Sequence, residues 1–213
     1  MAIGRRICYA AAVLVLATGG LVAWYARDTK PAEAAKLAAI LNWSPGRVVA
    51  EIGAGKGAMT VAAAERVGPS GHVFSTEINP KRLADVQTNA AKHGLTNIIV
   101  IQAGEADANL PPNCCDAIFM RDVYHHFTHP AEIDGSLYRA LRPGGLLAVI
   151  DFPPGFFLSL IAPVKGAPKG HKGHGISQAM LIQEVTGAGF QVEKVLREWP
   201  GHAYCVLFRK PAD

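Results

Sequence analysis

Apolar positions in this chain gather into short runs, and the runs alternate with stretches of helical spacing. Val48, Val49, Ala50 and Ile52 form one run, interrupted only by Glu51 and closed by glycine. A run of that length bounded by turn residues predicts a buried strand. Similar runs predict strands over 72–77, 97–101, 116–120, 146–151, 190–196 and 204–208. Helices are expected between them, over 58–67, from Asn79-Pro80 to about His93 with Gly94 as the stop, and over 130–141. Another runs from the Ser177 cap through Ala188. A helix over 31–41 precedes the first strand, with Thr29 placed to cap it and Pro31 in its first turn. Pro45-Gly46 and Pro143-Gly144-Gly145 read as turns, and Pro200-Gly201 as the link of a hairpin. Strands alternating with helices imply right-handed βαβ units and a parallel sheet. The expected architecture is therefore α/β: seven strands, mostly parallel, helices on both faces, and a C-terminal antiparallel hairpin.

Two segments depart from this alternation. Residues 7–26 carry no charge, follow Arg5 and Arg6, and end at Trp24 and Tyr25 before Arg27, Asp28 and Lys30. As a helix this run is about 30 Å long, the thickness of a bilayer core. It predicts an N-terminal membrane helix, a single-pass anchor over 1–30 ahead of a domain over 31–213. A cleaved signal peptide is the rival, because Ala32-Glu33-Ala34 fits a small-x-small cleavage site. The second departure is 152–175, rich in proline and glycine and carrying Lys165, Lys169, His171, Lys172 and His174. It predicts a long loop that covers one side of a cleft.

Composition narrows the function classes. Half the residues are hydrophobic, which suffices for a sizeable core, and the net charge of +4 is too small to argue for nucleic acid. Cys8, Cys114, Cys115 and Cys205 form no C-x-x-C pair, so neither a zinc site nor a disulfide framework is expected. Cys114 and Cys115 read as packing or loop residues.

The chemistry concentrates after the first strand, in Glu51-Ile52-Gly53-Ala54-Gly55-Lys56-Gly57. A strand, glycine-rich turn and helix bring bare backbone close to a ligand and aim helix N–H groups at it. The spacing is G-x-G-x-G. It is neither the dinucleotide fingerprint G-x-G-x-x-G nor the phosphate loop, which ends in G-K-[ST]. Further along stand Glu77 at the end of the second strand, Gly104-Glu105-Ala106 after the third, and Arg121-Asp122-Val123-Tyr124-His125-His126-Phe127 after the fourth.

In this order and spacing the pieces resemble the class I S-adenosylmethionine-dependent methyltransferases. The 121–127 segment is similar to the V-L-H-H stretch of the small-molecule and ubiquinone-biosynthesis branch, and Leu141-Arg142-Pro143-Gly144-Gly145-Leu146 to the family's fifth-strand entry. The resemblance covers about 41–209 and implies a Rossmann-like fold with S-adenosyl-L-methionine as cofactor. It implies cofactor contacts from Glu51, Gly53, Ala54, Gly55, Gly57, Glu77, Ile78, Glu105, Ala106, Asp107 and Arg121. Glu77 is the acid for the ribose hydroxyls, since a carboxylate accepts both hydrogen bonds of a vicinal diol. Glu51 is expected to orient the glycine loop through backbone N–H groups or water. Glu105 is the adenine-side acceptor, with Asp107 as its rival.

Methyl transfer needs alignment more than proton transfer. Where the acceptor is a hydroxyl or an acidic carbon a base helps, and His125 and His126 are the catalytic candidates. No metal ligand set is expected. The implied partner is a small, lipid-like acceptor, with the membrane engaged through 7–26 and no nucleic acid. A module that binds the cofactor without catalysis, and a protein methyltransferase of the isoaspartyl type, are the alternatives. The cofactor is charged and made in the cytosol, so the domain is expected on the cytosolic side; a cleaved signal would place it outside.

Overall fold

A computed structural model describes residues 30–155, 166, 168, 174–201 and 204–212. The expected membrane segment 7–26 and most of the expected loop 152–175 lie outside these residues. No helix among the described residues is long and apolar enough to cross a membrane.

Helix α1 (Lys30–Leu41) leads into β1 (Val48–Ile52), α2 (Ala58–Val67) and β2 (His72–Glu77). Then come α3 (Pro80–Lys92), β3 (Ile98–Gln102), β4 (Cys115–Arg121) and a 3-10 turn, Tyr124–His126. Helix α4 (Pro130–Ala140), β5 (Leu141–Asp151), α5 (Gln178–Gly187), β6 (Gln191–Leu196) and β7 (Tyr204–Arg209) complete the order. The strands form one sheet in the order β3-β2-β1-β4-β5-β7-β6. β1 to β5 pair in parallel; β7 runs antiparallel to both β5 and β6. The predicted α/β sheet and its terminal hairpin are therefore present.

Both faces of the central strands are buried, which is why they read as near-continuous apolar runs. Successive residues of β4 point to opposite faces. Ala117 and Phe119 pack with Leu37 and Leu41 of α1 and Met59, Ala63 and Val67 of α2. Ile118 and Met120 pack with Ile133 and Leu137 of α4 and Leu181 and Val185 of α5. Helix α1 is tied down by a buried acid: Glu33 accepts from Arg121 Nε at 2.6 Å and from Trp199 Nε1 at 2.7 Å.

Two expectations need correction. The turn expected at Pro143-Gly144-Gly145 lies within β5, because sheet pairing resumes on both sides of it. Cys115 pairs with Leu141 and Ala117 with Leu146, so the intervening residues bulge. Gly144 takes φ 76° there. Helix α4 consequently stops at Ala140, and Leu141 is already extended. The cysteine reading also changes, since Cys114 and Cys115 are joined to each other. Neighbouring residues need no chain closure to meet, so a search for spaced pairs passes over them. Cys205 is free and buried.

Candidate functional site

Strand order reverses between β1 and β4, and ligands in open α/β sheets bind beyond the strand C-termini at that point. A cleft of about 510 Å3 opens there. Its walls come from four consecutive strand ends: Ile52 and Gly53 after β1, Glu77 and Ile78 after β2, Ala103 to Glu105 after β3, and Arg121 to Val123 after β4. His126, Phe127 and Thr128 close the far side.

The glycine loop is built by left-handed backbone: Gly53, Gly55 and Gly57 have φ of 68°, 57° and 79°. At Gly53 space matters as well, because a Cβ there would lie 2.5 Å from Val123 Cγ2. Glu77, only 4% exposed, organises the loop. Its Oε2 accepts from the Gly55 N–H at 3.0 Å, and its Oε1 from the Ile78 and Asn79 N–H groups at 3.0 and 3.1 Å. Arg82 stands 3.8 Å from Oε2. A carboxylate offers about four acceptor positions, so roughly one remains on a residue that lines the cleft.

Glu51 acts on the helix that follows the glycine loop, with backbone and side-chain hydrogen bonds from Thr60 in its first turn. It lies behind the loop and accepts from Thr60 Oγ1 of α2, which also meets Ser75 Oγ of β2 at 2.9 Å. Burial pushes its carboxyl up to about 8, against the lowering effect of Thr60. Of the residues assigned to the cofactor, Gly53, Glu77, Ile78, Glu105 and Arg121 line the cleft. Ala54, Gly55, Gly57, Ala106 and Asp107 do not. Asp107 is engaged elsewhere, accepting from the Asn109 N–H at 2.8 Å and from Arg139 at 3.0 Å. Arg121 is held by Glu33 and, at 2.8 Å, by Asp122.

On the far side the 3-10 turn is rooted by Tyr124, fully buried, whose hydroxyl donates to Asp134 Oδ2 at 2.7 Å. That fixes the two histidines that follow. His125 is buried and does not line the cleft; its Nδ1 meets Asp151 Oδ1 at 2.8 Å, and its Nε2 has no hydrogen-bond partner among the described residues. His126 is exposed at the cleft wall. Desolvation of its ring, then repulsion by His125 and His174, hold its pKa below the ordinary imidazole value. His174, from the end of the long loop, stacks edge-on to His125 with ring centroids 4.7 Å apart. Sequence reasoning gave Asp151 no role. Its place at the C-terminus of a strand adjoining β4 was the signal that could have found it. No metal set was expected from spacing, yet His125, His126 and His174 converge.

A family profile described as "Methyltransferase domain" matches residues 44–184. The arsenite methyltransferase of Halobacterium salinarum is 30% identical over 51% of this chain and 28% of its own length. A ubiquinone/menaquinone biosynthesis C-methyltransferase, UbiE, of Vibrio cholerae is 29% identical over 51% of this chain and 42% of its own. The matched segment thus spans less than half the length of these relatives. A crystal structure of a SAM-dependent methyltransferase from Aquifex aeolicus superposes with a TM-score of 0.70 at 22% identity, over 84% of this chain and 89% of that one.

Proposed function

The chain belongs to the class I S-adenosylmethionine-dependent methyltransferase family, and on that premise we propose that residues 31–213 methylate a small acceptor in the cleft at the β1/β4 reversal. One observation carries the reading: Glu77, buried at the cleft floor, ties the glycine loop in place and keeps an acceptor position for a ribose hydroxyl. The fit to the cofactor is further supported by Ile78, an apolar side chain 51% exposed beside that acid, as a surface for a flat base. Glu105, which lines the cleft, suits the adenine side better than Asp107, whose oxygens are engaged. Glu51, Ala54, Gly55 and Gly57 then act by shaping the loop, and Arg121 by closing the wall between the two halves.

S-adenosylmethionine would supply a methyl group on a positively charged sulfur, which leaves as a neutral thioether when an acceptor lone pair takes the methyl carbon. The chain's own contribution is to orient and to exclude water. Val123, Phe127 and Ile133 give the acceptor side an apolar wall, and His126 is the polar group the acceptor would meet. An acceptor with an apolar ring and an ionisable hydroxyl or acidic carbon suits that pair of features. The quinone relatives support it. For residues 7–26 we retain the proposal of an anchor with the domain on the cytosolic side, tested by reading the mature N-terminus.

Calorimetry with S-adenosylhomocysteine tests the central claim. Micromolar binding is expected, with none for NAD. Glu77→Ala should weaken binding by about 1.5–3 kcal/mol, the worth of a hydrogen bond to a charged group. Unchanged affinity in Glu77→Ala would refute the assignment.

A further inference from the structure

We propose that His125, His126 and His174 hold a divalent transition-metal ion of the zinc type, with an open coordination position on the acceptor side of the cleft. Their ligating nitrogens all lie within 4.8 Å of one another. A tetrahedral ion with bonds of 2.0–2.1 Å sets its nitrogens roughly 3.3–3.4 Å apart. Where the present spacing exceeds that, binding would draw in His126 and His174, the two less buried rings.

The independent observation is the state of His125. Asp151 Oδ1 and Oδ2 already accept the Phe152 N–H at 2.8 Å and the His125 N–H at 3.2 Å, so the His125 Nδ1 contact at 2.8 Å has Nδ1 as the donor. In the neutral ring the corresponding tautomer carries its proton on Nδ1 and presents Nε2 as an acceptor. That Nε2 is buried and, among the described residues, without a partner, on a residue 1% exposed. Leaving such an acceptor unsatisfied costs about 1–3 kcal/mol. A carboxylate on one ring nitrogen with the other free is also the arrangement by which proteins orient metal-binding histidines. Ring nitrogens of two further imidazoles stand within 4.8 Å of a ring nitrogen of His125, and a cation shared among the three rings would satisfy Nε2.

Three protein ligands leave a fourth position, the pattern of reactive rather than structural sites. With His126 in the cleft wall beside Asp122 and Val123, the open position is assigned to that side. An acceptor hydroxyl or enol oxygen would occupy it, which makes oxygen-bearing small molecules the acceptor class. His126 then serves as a ligand and not as a free base. This last step rests on the far wall of the cleft being the acceptor side; the metal site itself does not.

The 213-residue chain, stripped with a chelator, is titrated with cobalt(II) followed by visible absorption, and with zinc(II) by calorimetry. One ion per chain is expected, with the absorption of four- or five-coordinate cobalt. His126→Ala and His174→Ala should each lower affinity more than the roughly 10–100-fold expected for Asp151→Asn. Both replace less buried rings, so their folding is checked by thermal midpoint, and they keep the test decisive if His125→Ala does not fold. Absence of stoichiometric uptake, or uptake unchanged in both variants, overturns the proposal. S-adenosylhomocysteine binding by the stripped wild-type chain is measured separately. Its loss would sink the methyltransferase reading and leave the metal site standing.

Discussion

Replacing Gly53 by alanine separates two physical costs that the structure places at one atom. Gly53 has φ 68°, and a Cβ there would sit 2.5 and 2.9 Å from the two Cγ atoms of Val123. Left-handed backbone costs a residue with a Cβ about 1–2 kcal/mol. Forcing a methyl into occupied space costs about 1–3 kcal/mol. The sum is about 2–5 kcal/mol. For a domain of this size each kcal/mol moves the melting point by about 2–4 °C, so Gly53→Ala should melt roughly 4–20 °C below wild type. Val123→Ala removes both Cγ atoms and leaves its Cβ at 3.3 Å from the added methyl, a contact a small shift relieves. The double variant should therefore recover the packing share and keep the backbone share. The coupling between the two substitutions should be about 1–3 kcal/mol, in the range seen for residues in contact. Differential scanning calorimetry on the four proteins gives the cycle. A Gly53→Ala midpoint within 2 °C of wild type would falsify the loop conformation. Strict additivity would remove the Val123 contact while leaving the backbone argument intact.

Two further outcomes follow from buried acids. Glu33→Gln breaks the pair with Arg121 and should cost about 1–3 kcal/mol, because burial already holds the Glu33 carboxyl above its ordinary range and Arg121 keeps Asp122. Adding Arg121→Met should recover part of that loss; chemical denaturation reads both, and a double variant worse than the sum would refute the pairing. Glu51 has a carboxyl raised by burial from 4.5 to about 8. The folded state then binds the proton more tightly than the unfolded chain. Its contribution is fully present below pH 4.5 and is lost as pH rises to about 8, at no more than about 1.4 kcal/mol per pH unit. Glu51→Gln should flatten that slope in melting curves from pH 5 to 8. An unchanged slope would show that Glu51 ionises freely in the fold.

Strand positions were legible because a parallel sheet buried on both faces demands apolar runs, and glycines or acids end them where the chain leaves the sheet. The same logic made Gly53 and Glu77 readable: one must be left-handed against Val123, and the other closes β2 at the cleft. It read Gly57 incompletely. A Cβ there would lie 3.2 Å from the Val86 Cα, so packing of the loop on α3 asks for glycine as its left-handed φ does. Glu51 has a role that spacing did not specify. An acid before a glycine loop looks like a ligand-facing group in one dimension, whereas β1 turns it toward Thr60. The histidine cluster was beyond spacing rules altogether, since its members and Asp151 come from three separate segments. Strand order brings them together. β4 and β5 are neighbours, paired from Ala117–Leu146 to Arg121–Ile150, so whatever follows Arg121 must meet whatever ends β5. His125 meets Asp151 on those grounds. His174 joins them because the Ile176 N–H donates to the Phe152 carbonyl at 2.9 Å, which returns the far end of the long loop to its start. A loop that begins at a strand C-terminus and is pinned back beside it delivers its last residues to the ligand-facing edge of the sheet, whatever course it takes between.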